Sequence, residues 1–239
     1  MIQLTKIHKK YKDNVILDSL DMTFEDHAIT AILGPSGCGK TTLLKITAGL
    51  VPQDSGEVTG MEGRVPGFLF QEPRLLPWMN TVQNLEFVLP DDMDKALKRK
   101  LSMDMLESVG LTDYHRHYPS QLSGGMSQRL SIARAFIIRS DILFMDEPFQ
   151  ALDMKRRQQM IDLFRSLWLN HKPAALMVTH DVQEALLLAD KIYILSDKPT
   201  EILKEIHNPM PLQARSVQNP VFYRLEQQII NQYLLVGQE

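Results

Sequence analysis

The chain has 239 residues, 44% of them hydrophobic and 23% charged, and a net charge of -3. That length fits one large α/β domain or a domain with a small appendage, and the slight acidity gives no bias toward nucleic acid. A single cysteine, Cys38, excludes an internal disulfide and suits a reducing compartment. No run approaches the roughly 18 apolar residues that span a bilayer, and Met1 to Lys12 holds no apolar signal core. The protein is therefore expected to be soluble by itself.

In chain order, Ile2, Leu4 and Ile7, then Val15, Leu17 and Leu20, then Met22 and Phe24 predict short strands of an antiparallel edge sheet. Tyr11 lies between the first two. An aromatic at that place can stack on a purine base or pack on its strand neighbours. Residues 28–33 then form an apolar run that reads as a buried strand. Leu43, Leu44, Ile46 and Leu50 follow at helical spacing.

Between that strand and helix lies Gly34-Pro35-Ser36-Gly37-Cys38-Gly39-Lys40-Thr41-Thr42, which fits the phosphate-loop pattern of Gly, four residues, then Gly-Lys-Thr. Its glycines let successive backbone N–H groups point at one anion. The helix N-terminus adds orphan donors and about half a positive charge. Lys40 is placed to reach the outer phosphates of a nucleoside triphosphate, and Thr41 can offer its hydroxyl to Mg²⁺. The helix N-terminus is also expected to lower the Cys38 thiol pKa and make it reactive, with bound nucleotide protecting it.

Residues 52–56 form a turn cluster, and 58–69 a glycine-punctuated strand region ending at Phe70-Gln71. Gln71 sits where a strand becomes a loop, so its amide can orient a water, touch a metal or simply face solvent. Residues 73 to about 135 read as a mainly helical insertion. Thr81 is expected to cap a segment to Phe87. Asp94 caps a helix to Val109 with Leu97, Leu101, Met105 and Val109 on one face. Lys95, Lys98, Arg99 and Lys100 are its solvated face. His115 and His117, with no carboxylate or cysteine at ligand spacing, read as surface residues.

Leu122-Ser123-Gly124-Gly125-Met126-Ser127-Gln128 opens another helix, with Ser123 as its N-cap. Its glycines create a second nest of backbone donors. One nucleotide does not need two nests in one chain, so the pattern points to a site shared between two molecules. The run 141–145 ends in Asp146-Glu147, at the strand end where open α/β sheets place ligands. There Asp146 would hold Mg²⁺ and Glu147 would polarise an attacking water. A second buried run, 174–179, ends at His180, which could donate to a γ-phosphate. The remainder adds a helix from Val182, a strand 191–195, an alternating edge strand 202–206, and a terminal helix with Phe222, Leu225, Ile229 and Tyr233 on one face.

These pieces in this order resemble the nucleotide-binding subunit of ATP-binding cassette (ABC) transporters over nearly the whole chain. Residues 34–42 match the Walker A loop, Gln71 the Q-loop, and Leu122-Ser123-Gly124-Gly125-Met126 the signature. Ile142 to Glu147 matches Walker B with its catalytic glutamate, Ala151-Leu152-Asp153 the D-loop, and His180 the switch histidine. Tyr11 falls at the adenine-stacking aromatic. Residues 70–78 and 122–129 are similar to the nitrate/sulfonate/taurine import group, which also includes importers of thiamine-precursor pyrimidines. Gln150 departs from the usual Ser or Gly before the D-loop. Residues 56–71 are shorter than in most relatives, and the regulatory domain of sugar importers is not expected.

The resemblance implies an α/β phosphate-loop NTPase fold with an antiparallel β subdomain. Residues 1–71 and 136–239 would form the core and 72–135 a helical subdomain. It implies an ATPase using ATP and Mg²⁺, with Thr41, Gln71 and Asp146 at the metal. Lys40, Gln71, Glu147 and His180 would be catalytic. Tyr11, residues 34–42, Ser123, Gly124, Gly125 and Asp153 would bind nucleotide across a homodimer. It also implies permease subunits contacting 72–85, with Trp78 either anchoring there or buried, an extracytoplasmic solute-binding protein, and a place on the cytoplasmic membrane face. The competing readings are a soluble ABC-type ATPase acting on nucleic acid or the ribosome, and a detached exporter cassette. Only a small helical segment separates Gln71 from the signature, and there is one cassette. Both facts disfavour the first alternative.

Overall fold

The computed structural model describes residues 1–150 and 152–236, with side-chain surroundings through residue 232. The D-loop residue Ala151 and the side chain of Tyr233 lie outside the described residues.

The N-terminal expectation of several short strands resolves into two long ones. β1 (Ile2–Tyr11) and β2 (Asn14–Phe24) form an antiparallel hairpin. β4 (Ser55–Thr59) pairs antiparallel with β1, giving a three-stranded sheet ordered β2-β1-β4. The glycine-punctuated region 58–69 therefore serves two sheets, because β5 (Pro66–Phe70) belongs to the other one.

That second sheet has six strands in the order β5-β6-β7-β3-β8-β9. β3 is Ile29–Leu33, β6 Ile142–Asp146, β7 Ala174–Thr179, β8 Lys191–Leu195 and β9 Ile202–His207. All neighbours are parallel except the β8–β9 pair. Strands covered on both faces read as unbroken apolar runs, and β3, β7 and β8 are buried at every position.

Side chains alternate between two cores, as the two-residue strand period requires. Ala31, Leu143, Met177 and Ile194 join the core that meets the longer helices. Ile32, Phe144, Leu176 and Tyr193 face the other side, where α1 (Lys40–Thr47) and the antiparallel sheet cover them. Leu50 lies beyond α1 and is exposed, so the packed face of that helix is Leu43, Leu44 and Ile46.

The helical segment contains α2 (Thr81–Glu86), α3 (Lys95–Ser108) and α4 (Gly124–Ile137). The expected Thr81 cap is displaced by one residue. Asn80 is the N-cap and forms a capping box with Gln83, while Thr81 Oγ1 donates to the His117 carbonyl at 2.9 Å. Asp94 does cap α3. Of its expected face, Val109 is buried and Leu101 and Met105 pack partly buried on the core, while Leu97 is exposed; the fully buried positions within α3 are Ser102 and Leu106. His115 and His117 are half-buried rather than superficial, and the His117 carbonyl takes the Thr81 N–H as well.

The remaining helices are α5 (Met154–His171), α6 (Val182–Leu188) and α7 (Pro220–Val236). In α7, Phe222 and Ile229 are fully buried against α6, so this face is docked core. Arg215 locks that corner. Its guanidinium is buried and donates to the carbonyls of Met210 (2.9 Å) and Leu188 (2.6 Å), and to Asp190. Asp190 in turn accepts the Ile29 N–H at the start of β3 at 2.8 Å. Arg215→Met is expected to cost about 2–3 kcal/mol, since it leaves buried carbonyls unpaired. Urea unfolding checks this, and a loss under about 0.5 kcal/mol, the range of a neutral surface change, would mean the corner repacks freely.

Candidate active site

The parallel register brings the strand ends to one level. Phe70 pairs with Asp146, Asp146 with Val178, and Leu33 with Thr179. Gln71, Glu147, His180 and Gly34, each next or nearly next along its chain, therefore emerge on the same edge of four adjacent strands.

The loop 34–39 turns from β3 into α1. Gly37 (φ +83°) and Gly39 (φ +112°) occupy left-handed backbone that side-chain-bearing residues rarely adopt. A Cβ on Gly39 would also lie 2.7 Å from Ile16 Cγ2. Lys40 is 5% exposed, and its Nζ donates to the carbonyls of Gly34 and Pro35 at 2.8 Å each. The ammonium thus sits inside the loop and shapes it. Reaching a phosphate means exchanging those carbonyls for phosphate oxygens.

Thr41 Oγ1 donates to Asp146 Oδ1 at 2.9 Å. A hard oxygen donor in the first turn of α1 and one at the end of β6 are thus brought together, a pairing that suits a Mg²⁺ site with few protein ligands. Gln71 is exposed one residue past β5, on the strand that pairs with β6.

Glu147 has φ +47°, an unusual conformation for a residue with a side chain. Its N–H is held by the Val178 carbonyl at 2.9 Å. Turning there leaves its carboxylate Oε2 at 3.5 Å from His180 Nδ1. Gln150, the departure before the D-loop, places its amide nitrogen 3.5 Å from His180 Nε2. The imidazole is bracketed by the two groups.

Cys38 corrects an expectation. Its side chain is buried, and burial pushes the thiol pKa up, outweighing the attraction of Lys40. Burial thus opposes the lowered thiol pKa expected from the helix end, because desolvating a thiolate disfavours its ionisation. Tyr11 is 48% exposed at the hairpin tip, with Lys9 Nζ over its ring at 5.4 Å from the centre.

The signature residues stand apart. Ser123 caps α4 by accepting the Met126 N–H at 3.3 Å. Ser123 and Gly125 border a hollow of about 200 Å³ with Arg129 and Leu152, and none of residues 34–42 lines it. Asp153 caps α5 by accepting the Arg156 N–H, and is exposed. In one chain, then, the second nest faces outward.

Three supporting residues escaped the sequence reading. Arg134 on α4 donates to the carbonyls of Arg74 (2.9 Å) and Pro73 (2.8 Å), tying the loop after Gln71 to the signature helix. Gln128 donates to the Pro148 carbonyl at 2.8 Å, holding the turn after Glu147. Glu184 is buried beneath Thr179, whose hydroxyl it accepts. The available signals were an Arg, a Gln and a Glu inside otherwise packed helical faces.

Residues 17–150 match the family model described as ABC transporter. The chain belongs to the ABC transporter family. It is 39% identical to the aliphatic sulfonates import ATP-binding protein SsuB 1 of Pseudomonas syringae pv. syringae (strain B728a), over 94% of this chain and 92% of that one. It is 40% identical to the aliphatic sulfonates import ATP-binding protein SsuB of Bacillus licheniformis, over 91% and 87%. Among solved structures it resembles the dimeric bacterial ABC transporter cassette MJ0796 with a TM-score of 0.76 and 28% identity, covering 88% of this chain and 100% of that one. A post-hydrolysis dimer of the same cassette, bound to ADP and Pi, matches with a TM-score of 0.71 and 28% identity, over 85% and 99%. No described helix of this ABC chain is long and apolar enough to cross a membrane.

Glu184 gives a pH test of the floor beneath His180. Burial raises its pKa from 4.5 to about 7, with Asp181 adding to the rise and the Thr179 hydrogen bond opposing it. The folded state therefore holds a proton that the unfolded state releases. Its contribution to stability is full below about pH 4.5 and is lost as pH rises through 7. Glu184→Gln is expected to remove that loss, so the variant gains on the native protein between pH 5 and 8 in urea unfolding. Parallel pH profiles would contradict it.

Proposed function

We propose that this chain is the ATP-hydrolysing subunit of an ABC importer for small sulfonate-type solutes. The observation carrying the ATPase part is the convergence of Lys40, Thr41–Asp146, Glu147 and His180 at three in-register strand ends. The relatives named as aliphatic sulfonate importers carry the solute class.

In this reading residues 34–42 cradle the phosphates through backbone N–H groups, and Tyr11 stacks on the base. Lys40 moves from the Gly34 and Pro35 carbonyls onto the outer phosphates. Thr41 and Asp146 would hold Mg²⁺, with Gln71 near it. Bound Mg²⁺ would neutralise charge on the phosphate oxygens. Glu147 accepts a proton from the attacking water, and His180 steadies the γ-phosphate. The outward signature of a second copy completes each site through Ser123, Gly124 and Gly125, with Asp153 at the seam. This supplies the use for the second nest that one chain leaves idle.

Residues 72–135 act as a helical subdomain on a core of 1–71 and 136–239, and transmit closure of the dimer to the permease. Trp78 is 69% exposed on a loop held by Asn84, which bonds to Leu76, Met79 and Asn80. An aromatic presented on a fixed loop suits an anchor for the permease at 72–85. The chain would then work at the cytoplasmic membrane face, in a system whose solute-binding protein sets specificity.

Glu147→Gln is expected to bind ATP normally and lose at least about 100-fold in hydrolysis, in the range of general-base removal, while accumulating as an ATP-bound dimer. Near-native turnover would remove Glu147 from the base role. Gentle-detergent isolation from native cells is expected to bring a multi-span permease with the chain. Recovery with ribosomes or DNA and no membrane protein would sink the importer assignment and leave the ATPase chemistry standing.

A further inference from the structure

The phosphate loop leans on a residue outside the Walker A pattern. Thr200, between β8 and β9, is fully buried. Its N–H donates to the Ile16 carbonyl at 3.1 Å, and Leu17 and Thr200 form an isolated bridge, so the residue is fixed to β2. Its Oγ1 donates to the carbonyl of Cys38, inside the loop. A Cβ built on Gly39 would come within 3.7 Å of the same hydroxyl, so Thr200 sits against the Cys38–Gly39 peptide.

We propose that Thr200 is a positioning residue for nucleotide binding, holding the Cys38–Gly39 peptide so that the Gly39 N–H faces the phosphates. The inference rests on residues 34–42 being the phosphate site. In a trans peptide the C=O and N–H point in opposite directions. Fixing the Cys38 carbonyl on Thr200 therefore aims the Gly39 N–H away from Thr200. Among the described residues no backbone carbonyl accepts from that N–H. The flanks of this peptide are held as well, by the Cys38 N–H on the Pro35 carbonyl (3.3 Å) and the Leu43 N–H on the Gly39 carbonyl (2.9 Å), and Thr200 is the side chain that fixes the Cys38 carbonyl between them.

The other restrained loop carbonyls make the point sharper. Gly34 and Pro35 are held by Lys40 Nζ, which must leave them to meet a phosphate. The Thr200 hydroxyl has no second task. Its bond can persist through binding and keep one donor aimed while Lys40 changes partner.

Thr200→Val keeps the shape and removes the hydroxyl, and Thr200→Ser restores it. Equilibrium binding of a fluorescent ATP analogue, with ATP competition, is expected to show Thr200→Val about tenfold weaker, the scale of one buried carbonyl left unpaired. KM for ATP should rise by a similar factor with kcat at saturation within about twofold, a split expected when only uniform binding is lost. Thr200→Ser should bind as the native chain does. Should Thr200→Val not fold, Thr200→Ala carries the same expectation. Native-like binding by the folded variant lacking the hydroxyl, or failure of Thr200→Ser to restore binding, overturns the proposal. Lys40→Ala is measured alongside. If it too binds ATP like the native chain, the phosphate-site reading itself fails, a result distinct from failure at Thr200 alone.

Discussion

Thr41 Oγ1 on Asp146 Oδ1, at 2.9 Å, joins the helix after one strand to the end of another. That contact exists only because β6, β7 and β3 lie side by side and stop at the same level. Parallel strands need crossover connections, so residues far apart in sequence meet at the strand ends. The apolar runs that make these strands buried on both faces also hold their register, since a one-residue slip would exchange the two cores. Everything proposed about chemistry depends on that shared edge.

A parallel edge explains why so much was readable from sequence. Each buried run announces its strand, and the first polar residues after it, Gln71, Asp146-Glu147 and His180, announce the site. The phosphate loop adds a spacing that few other structures require. What stayed hidden follows from packing between elements. Arg134, Gln128 and Glu184 sit inside helices whose periodicity says only that a face is buried, and their partners are carbonyls or hydroxyls that sequence cannot pair. The exposure of Leu97 and the full burial of Leu106 in α3 were hidden for the same reason. So was the one-residue shift of the α2 cap, where Asn80 and Thr81 were both competent.

Cys38 shows how two sound arguments can compete. A helix N-terminus favours a thiolate, and burial opposes it. Burial wins here because the side chain turns under the loop into the core it shares with Leu43 and Leu195, beside Gly34, and sequence does not reveal that. The strained Glu147 is the converse case. Its left-handed turn is not encoded by a glycine, yet it is held by the Val178 carbonyl and places the carboxylate beside His180. A resting site emerges in which Lys40, Glu147 and His180 already have partners within the chain, and each would exchange them for substrate.

The central claim is that each ATP site is built from two chains. The most direct measurement mixes a Lys40→Ala chain with a Ser123→Arg chain and follows ATP hydrolysis. Each pure variant spoils both sites of its dimer. A mixed dimer concentrates both defects in one site and leaves the other with an intact phosphate loop and an intact signature. The account predicts that the mixture hydrolyses ATP well above the average of the two pure variants. A mixture that stays at that average, with mixed dimers shown to form, would contradict it.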